Sequence, residues 1–229
     1  MRWYCLQHVP FEGPAYLGDW TRRQGHELVP IDVWTGGPWP NLRAGDGVFV
    51  LGGPMNVYEE DRYPWLKAEK RFLADAIAAG GPVLGICLGA QLLSLVLGGS
   101  VTRNRWPEIG WFPVEITAAG REAPVFRGFP PRFIAFHWHG DRFSTPPGAV
   151  HAGQSEACDQ QAFVFGDRVV GLQFHLESTS ESIRSLIENC GDEITRGPYL
   201  QEAAAMHEGV HYLATCHALL EQLLDRMTE

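Results

Sequence analysis

The stretch Pro82-Val83-Leu84-Gly85-Ile86-Cys87-Leu88-Gly89-Ala90-Gln91-Leu92-Leu93 constrains this chain more than any other. The short apolar run ahead of Cys87 reads as a buried strand, and the apolar stretch behind it reads as a helix. A strand that turns at once into a helix crowds the backbone, so glycines two residues to either side of the cysteine make room. This is the nucleophile-elbow pattern with cysteine in the place of serine. The turn lifts the sulfur out of the sheet and sets it near a helix N-terminus, whose partial positive charge favours an anion. Taken alone, the pattern reads equally as a buried cysteine beside helix-packing glycines.

The flanking sequence supplies the frame. Strands are expected over 3–7, 27–33 and 48–51, and helices over 15–24, 65–79 and 88–97. Pro64 opens the second helix, and Gly25, Gly80-Gly81 and Gly98-Gly99 close the three in turn. Strands alternating with helices indicate a doubly wound, mostly parallel sheet, whose ligand crevice lies beyond the carboxyl ends of the strands. Gly52-Gly53 and Cys87 both fall at such ends. After Val101 the texture changes to short β-prone segments at 111–116, 133–138, 162–165 and 168–174, read as added strands. A helix over 178–189 follows, with Ser178 or Thr179 as its cap. Pro198 opens a long helical pattern whose apolar side carries Leu213, Leu219, Leu220, Leu223 and Leu224. The expected fold is a three-layer α/β domain, a mixed, mostly parallel sheet with helices on both faces, over 1–190. A helical C-terminal extension covers 191–229.

Composition excludes several classes. With 18 Lys and Arg against 27 Asp and Glu, the net charge of −9 leaves no basic face for nucleic acid. No apolar run approaches membrane-span length and no signal peptide is evident. Five cysteines at 5, 87, 158, 190 and 216, with no C-x-x-C pair, suggest reduced thiols and a cytoplasmic setting. Neither G-x-G-x-x-G nor G-x-x-x-x-G-K-[ST] is present, and no cofactor is expected.

A cysteine nucleophile needs a base, and the base needs an orienting group. His175 ends the apolar run Val169-Val170-Gly171-Leu172-Gln173-Phe174, and Glu177 follows two residues later. Two residues apart on an extended segment share one face, so Glu177 can accept the second imidazole N–H. Attack on a carbonyl creates an oxyanion that backbone N–H groups must meet. The Leu88 N–H, just after the nucleophile, is one donor, and the Gly52-Gly53-Pro54 loop can offer another.

Gly52-Gly53-Pro54, then Gly85-Ile86-Cys87-Leu88-Gly89-Ala90-Gln91, then Gly171-Leu172-Gln173-Phe174-His175-Leu176-Glu177 resemble the class I, triad-type glutamine amidotransferases. Glu108-Ile109-Gly110-Trp111, His137-Trp138-His139-Gly140-Asp141 and Gln160-Gln161-Ala162-Phe163 add to the likeness, which covers roughly 1–190 and is strongest to the amidotransferase domain of GMP synthase. The resemblance implies that Cys87 attacks a γ-glutamyl amide such as glutamine, with His175 as acid and base and Glu177 orienting it. It implies an oxyanion hole from Gly53 and Leu88, and substrate contacts from Gln91, Trp138, Gly140 and Asp141. Leu176 stands where many members have proline. No Ser-Gly-Gly-x-Asp-Ser loop of an ATP-pyrophosphatase domain is present. The expectation is therefore ammonia release to a separate synthetase partner, simple hydrolysis of a γ-glutamyl bond in glutamine or a peptide, or a partner-gated or inactive subunit.

A motif of another class lies near the C-terminus. His207-Glu208-Gly209-Val210-His211 matches H-E-x-x-H, with His217 beyond it, and on a regular helix the two histidines could share zinc. The extended pattern wants glycine at 214, where this chain has Ala214, and a solvated helical face is the plainer reading. His137 and His139 look like a metal pair, but the resemblance makes them structural or substrate-side. His8 and Tyr58 read as loop residues near the cleft.

Overall fold

The computed structural model describes residues 1–229. Nine strands form one sheet: β1 (Arg2–Gln7), β2 (Glu27–Asp32), β3 (Gly47–Val50), β4 (Val83–Ile86), β5 (Val101–Ile116), β6 (Arg132–Phe143), β7 (Val150–Gln154), β8 (Ala162–Phe165) and β9 (Val169–Leu172). Their spatial order is β2-β1-β3-β4-β9-β8-β7-β5-β6. The first five in that order pair in parallel, and the remaining pairs are antiparallel.

The central strands are apolar at nearly every position because both faces are covered. Alternate side chains point to opposite faces. Phe49, Leu51, Leu84 and Ile86 accordingly join one apolar cluster, and Val48, Val50 and Val83 join the other. Helices α1 (Tyr16–Arg23), α5 (Ser180–Cys190) and α7 (Leu213–Thr228) contribute to the first cluster. Helices α2 (Trp65–Ala78) and α3 (Leu88–Val96) contribute to the second, giving three layers. No helix is long and apolar enough to cross a membrane.

The first hundred residues follow the expected pattern to within a residue or two. The helix expected over 178–189 runs Ser180–Cys190, and Thr179 is its cap: its hydroxyl accepts from the Ser182 N–H while Ser182 Oγ bonds back to the Thr179 N–H. Two short elements, α4 (Ala118–Glu122) and β7, lack an apolar run that would announce them.

The largest difference lies after Pro198, which does not open a helix. The open edge of β5 at 109–111 has backbone groups that need partners. The 199–201 segment supplies them: Ile109 N–H donates to the Tyr199 carbonyl at 2.9 Å and Gln201 N–H to the Ile109 carbonyl at 2.9 Å. The Gln201 side chain then bonds both the N–H and the carbonyl of Trp111. Only afterwards do α6 (Ala203–Glu208), a 3₁₀ turn over Gly209–Tyr212 and α7 follow. The break falls where Gly209 packs closely against the Trp111 indole, whose Nε1–H donates to the Met206 carbonyl at 2.9 Å. Leu213, Leu219, Leu220, Leu223 and Leu224 are buried along α7, joined by Cys216 and Met227.

A Cβ at position 209 would overlap the Trp111 indole. Gly209→Ala should therefore destabilise the protein by about 1–3 kcal/mol, the usual cost of overpacking. Urea denaturation measures this; an unchanged midpoint would show that α6 and β5 move apart without cost.

Candidate active site

Three neighbouring parallel strands, β3, β4 and β9, end on the same side of the sheet. Their carboxyl ends carry Gly52-Gly53, Cys87 and His175, so adjacency of the strands makes adjacency of these groups. Cys87 adopts φ 52° and ψ −108° between β4 and α3, one of only two non-glycine residues with positive φ. Such a conformation persists only when its surroundings hold it. Here the Cys87 N–H donates to the Leu172 carbonyl at 2.8 Å and the Gly89 N–H to the Leu51 carbonyl at 3.1 Å. The helix meets the sheet so closely that a Cβ on Gly89 would overlap the Val50 carbonyl.

His175 is anchored by its N–H to the Phe136 carbonyl at 2.8 Å. Its ring Nδ1–H donates to Glu177 Oε1 at 2.6 Å, with both residues buried. Nε2 is buried with no hydrogen-bond partner in the protein. Burial opposes a charge on this ring, but the Glu177 carboxylate and the neighbouring Cys87 outweigh it and hold the imidazole well above its ordinary value. The Gly52 backbone runs against both partners: a Cβ there would lie 3.7 Å from Cys87 Cβ and 3.6 Å from His175 Cε1.

A cleft of about 120 Å³ opens over this constellation. Gly53, Cys87, Leu88, Gln91, Trp138, Gly140, Asp141 and His175 all line it, while Glu177 sits behind His175. The Trp138 carbonyl is 3.5 Å from Cys87 Sγ, and the Trp138 indole N–H donates to Glu193. Gln91 is tethered to Gln173 at 3.2 Å, and Asp141 accepts from Asn56 Nδ2 at 2.7 Å. Gly140 packs against the Arg103 guanidinium, whose Nη1 lies 3.4 Å from Asp141 Oδ1.

Sequence reading missed three charged wall residues, Glu12, Arg103 and Glu193. Glu12 had a signal, since it follows β1 into the crevice. The others had none: Arg103 lies at a register shift in β5, and Glu193 on a 3₁₀ turn after α5. Enclosure pushes the Glu12 carboxyl up to about 7, partly opposed by His175 and His8. Burial likewise raises Glu193. His8 lies on the loop just after β1, as read, but is buried rather than exposed: it is 1% exposed and bonded to the Gly52 carbonyl and to Glu69. Tyr58 is exposed, its hydroxyl accepting from the Val101 N–H.

The zinc reading of the C-terminal motif does not hold. His207 ends on α6, and the 3₁₀ turn at Gly209 takes His211 off the α-helical register. His211 Nδ1–H bonds the Glu208 carbonyl, and His217 bonds the Ser178 carbonyl at 2.7 Å while stacking on Tyr16. The one cluster close enough to share an ion is Glu108, His137 and His139, fully buried beneath the site. Glu108 Oε2 already accepts from Gln161 at 2.7 Å and Ser155 at 3.0 Å. Burial holds the His137 imidazole down near 4. These hydrogen bonds make the cluster a polar support for β6.

Comparison with known proteins agrees with this geometry. The family model for glutamine amidotransferase class I matches residues 26–193. A glutamine amidotransferase-like protein of Salmonella typhimurium, YfeJ, is 32% identical over 85% of this chain and 83% of its own. The glutamine-hydrolysing GMP synthase of Thermomicrobium roseum is 36% identical over 70% of this chain; the match spans only 28% of that longer protein. The crystal structure of a glutamine amidotransferase from Thermotoga maritima superposes with a TM-score of 0.91 at 34% identity, covering 100% of this chain and 98% of that one.

Two measurements probe the electrostatics. Burial pushes the thiols of Cys5, Cys158, Cys190 and Cys216 up to about 12, which leaves them inert near neutrality. Limited iodoacetamide labelling at pH 7.5, mapped by mass spectrometry, should modify Cys87 first; equal labelling of all five would contradict the site. For Glu12, a folded-state pKa raised from 4.5 to about 7 means stability is full below the lower value and falls as pH rises through the upper. Glu12→Gln should raise the Tm at pH 8 relative to wild type but not at pH 5. Parallel Tm profiles from pH 5 to 8 would refute this.

Proposed function

Because the chain belongs to the class I glutamine amidotransferase family, we propose that it cleaves a γ-glutamyl amide, glutamine foremost, through a γ-glutamyl thioester on Cys87. The observation that carries this reading is the convergence of Cys87, the His175–Glu177 pair and Gly53 at three adjacent strand ends.

The chemistry divides into two halves. Cys87 Sγ attacks the amide carbon as its thiol proton passes to His175 Nε2, and the carbonyl oxygen takes the negative charge. The N–H groups of Gly53 and Leu88 meet that oxygen. Leu88 is the first residue of α3, so its N–H has no acceptor within the helix. His175, protonated beside Glu177, gives its proton to the leaving nitrogen as the carbon–nitrogen bond breaks. Ammonia departs and the thioester remains. Neutral His175 then takes a proton from water, whose oxygen attacks the thioester carbon, and glutamate and free thiol are restored. Gln91, Trp138, Gly140 and Asp141 hold the amino-acid end of the substrate. The ammonia passes to a separate synthetase or to solvent, and no cofactor takes part.

A γ-glutamyl peptide is the second substrate class in view. Arg103 stands exposed at the cleft mouth, where it can meet the carboxylate of a longer leaving group.

The test is ammonia or amine release from glutamine and from γ-glutamyl dipeptides, measured side by side. Cys87→Ala should abolish turnover, and Glu177→Gln should lower kcat by about 10²–10⁴, the range of general acid–base catalysis. No release from any γ-glutamyl compound by the wild-type protein would overturn the reading.

A further inference from the structure

The loop that carries the Gly53 N–H consists of two successive glycines, which leave their shared peptide unit free to rotate. A side chain from elsewhere must set its plane. His8 follows directly on β1, and its Nδ1 lies 2.9 Å from the Gly52 carbonyl oxygen. Its Nε2 lies 2.8 Å from Oε1 of Glu69 on α2, and both side chains are 0% exposed. The fit is close on the other side too: a Cβ at Gly53 would stand 2.9 Å from His8 Cβ.

We propose that His8, itself held by Glu69, is a positioning residue that locks the Gly52–Gly53 peptide with the Gly53 N–H aimed at the developing oxyanion. The inference rests on the function proposed above. In a trans peptide the C=O and the N–H point in opposite directions. Pinning the Gly52 carbonyl on the His8 side therefore turns the Gly53 N–H away from His8 and toward the cleft. That N–H donates to no acceptor within the protein, as a donor reserved for substrate must.

The pair is unusual as a stabilising element. A carbonyl and a carboxylate only accept, so with Glu69 ionised both ring nitrogens of His8 must donate. Burial works against such a charge, but Glu69 and the Gly52 carbonyl prevail and the His8 pKa is raised. Glu69 Oε2 is meanwhile buried without a partner. A buried ion pair with an unsatisfied oxygen adds little net stability, and apolar residues of similar size often replace one without loss. Such a pair fits a role in aiming the peptide.

The test compares wild type with Glu69→Gln and with the double variant His8→Leu/Glu69→Leu. Substrates are glutamine and p-nitrophenyl acetate, both of which pass through an oxyanion on a Cys87 adduct. Both variants should keep a Tm within a few degrees of wild type. The double variant should lose about 10²–10³ in kcat, the cost of one oxyanion donor, with KM changed by no more than about threefold. Stable variants with wild-type kcat on either substrate would overturn the proposal. Wild-type turnover of the ester but not of any γ-glutamyl amide would sink the assigned function, while the variant-to-wild-type ratio on the ester would still decide the role of His8. The resting protein gives an independent reading. The ¹⁵N–¹H peak of Gly53 should shift in Glu69→Gln while that of Leu88 stays; an unmoved Gly53 peak would overturn the proposal without reference to turnover.

Discussion

The hydrogen bond from the Cys87 N–H to the Leu172 carbonyl joins the chain's sharpest turn to the neighbouring strand. A positive φ on a cysteine costs on the order of 1–3 kcal/mol. The fold meets that cost with backbone contacts on both sides: β9 through Leu172, and β3 through the Leu51 carbonyl that accepts from Gly89. Both strands are among the most deeply buried in the sheet. The same two strands deliver Gly53 and His175. Strain at Cys87 and its meeting with Gly53 and His175 thus depend on one set of bonds, and a slip of either strand would lose both together.

The charge distribution follows from this crowding. Glu12, Asp141, Glu177 and Glu193 surround or back a cleft whose imidazole lies at its centre. Carboxylates around one imidazole favour its protonated form. The same ring of acids disfavours anions and is hospitable to an amino group or an ammonium ion. Arg103 at the mouth is the exception, and its pairing with Asp141 tempers it.

The parallel half of the fold was legible because strands buried on both faces must be written in unbroken apolar letters, punctuated by glycine and proline. Val48 to Leu51 and Val83 to Ile86 are such runs. The antiparallel half was harder. β5 begins with Val101-Thr102-Arg103-Asn104, and β7 contains His151 and Gly153, so neither carries that signature. Around Pro198 local propensity misled, since the open edge of β5 captured the segment first. In the site, Cys87, His175 and Glu177 announced themselves through glycine spacing and strand-end position. Glu69 did not: on α2 it sits among Lys67, Lys70 and Arg71 and looks like a surface residue. Its partner His8 lies 61 positions away, and only burial distinguishes the two.

The attachment of α7 bears on how the molecule is made. Tyr16 and Arg23 of α1 meet Glu221, Trp20 meets Asp225, and His217 reaches the Ser178 carbonyl beside Glu177. Residues from Trp3 to Met227 share one apolar cluster. During synthesis, then, the strands that carry Cys87 and His175 emerge well before the helix that covers this face. The nascent chain holds Cys87, His175 and Glu177 in order along the sequence, yet the Ser178 carbonyl beside Glu177 meets His217 only once α7 has been made. Closure of this face thereby waits on α7, and until then the apolar surface that α7 covers stands open to solvent.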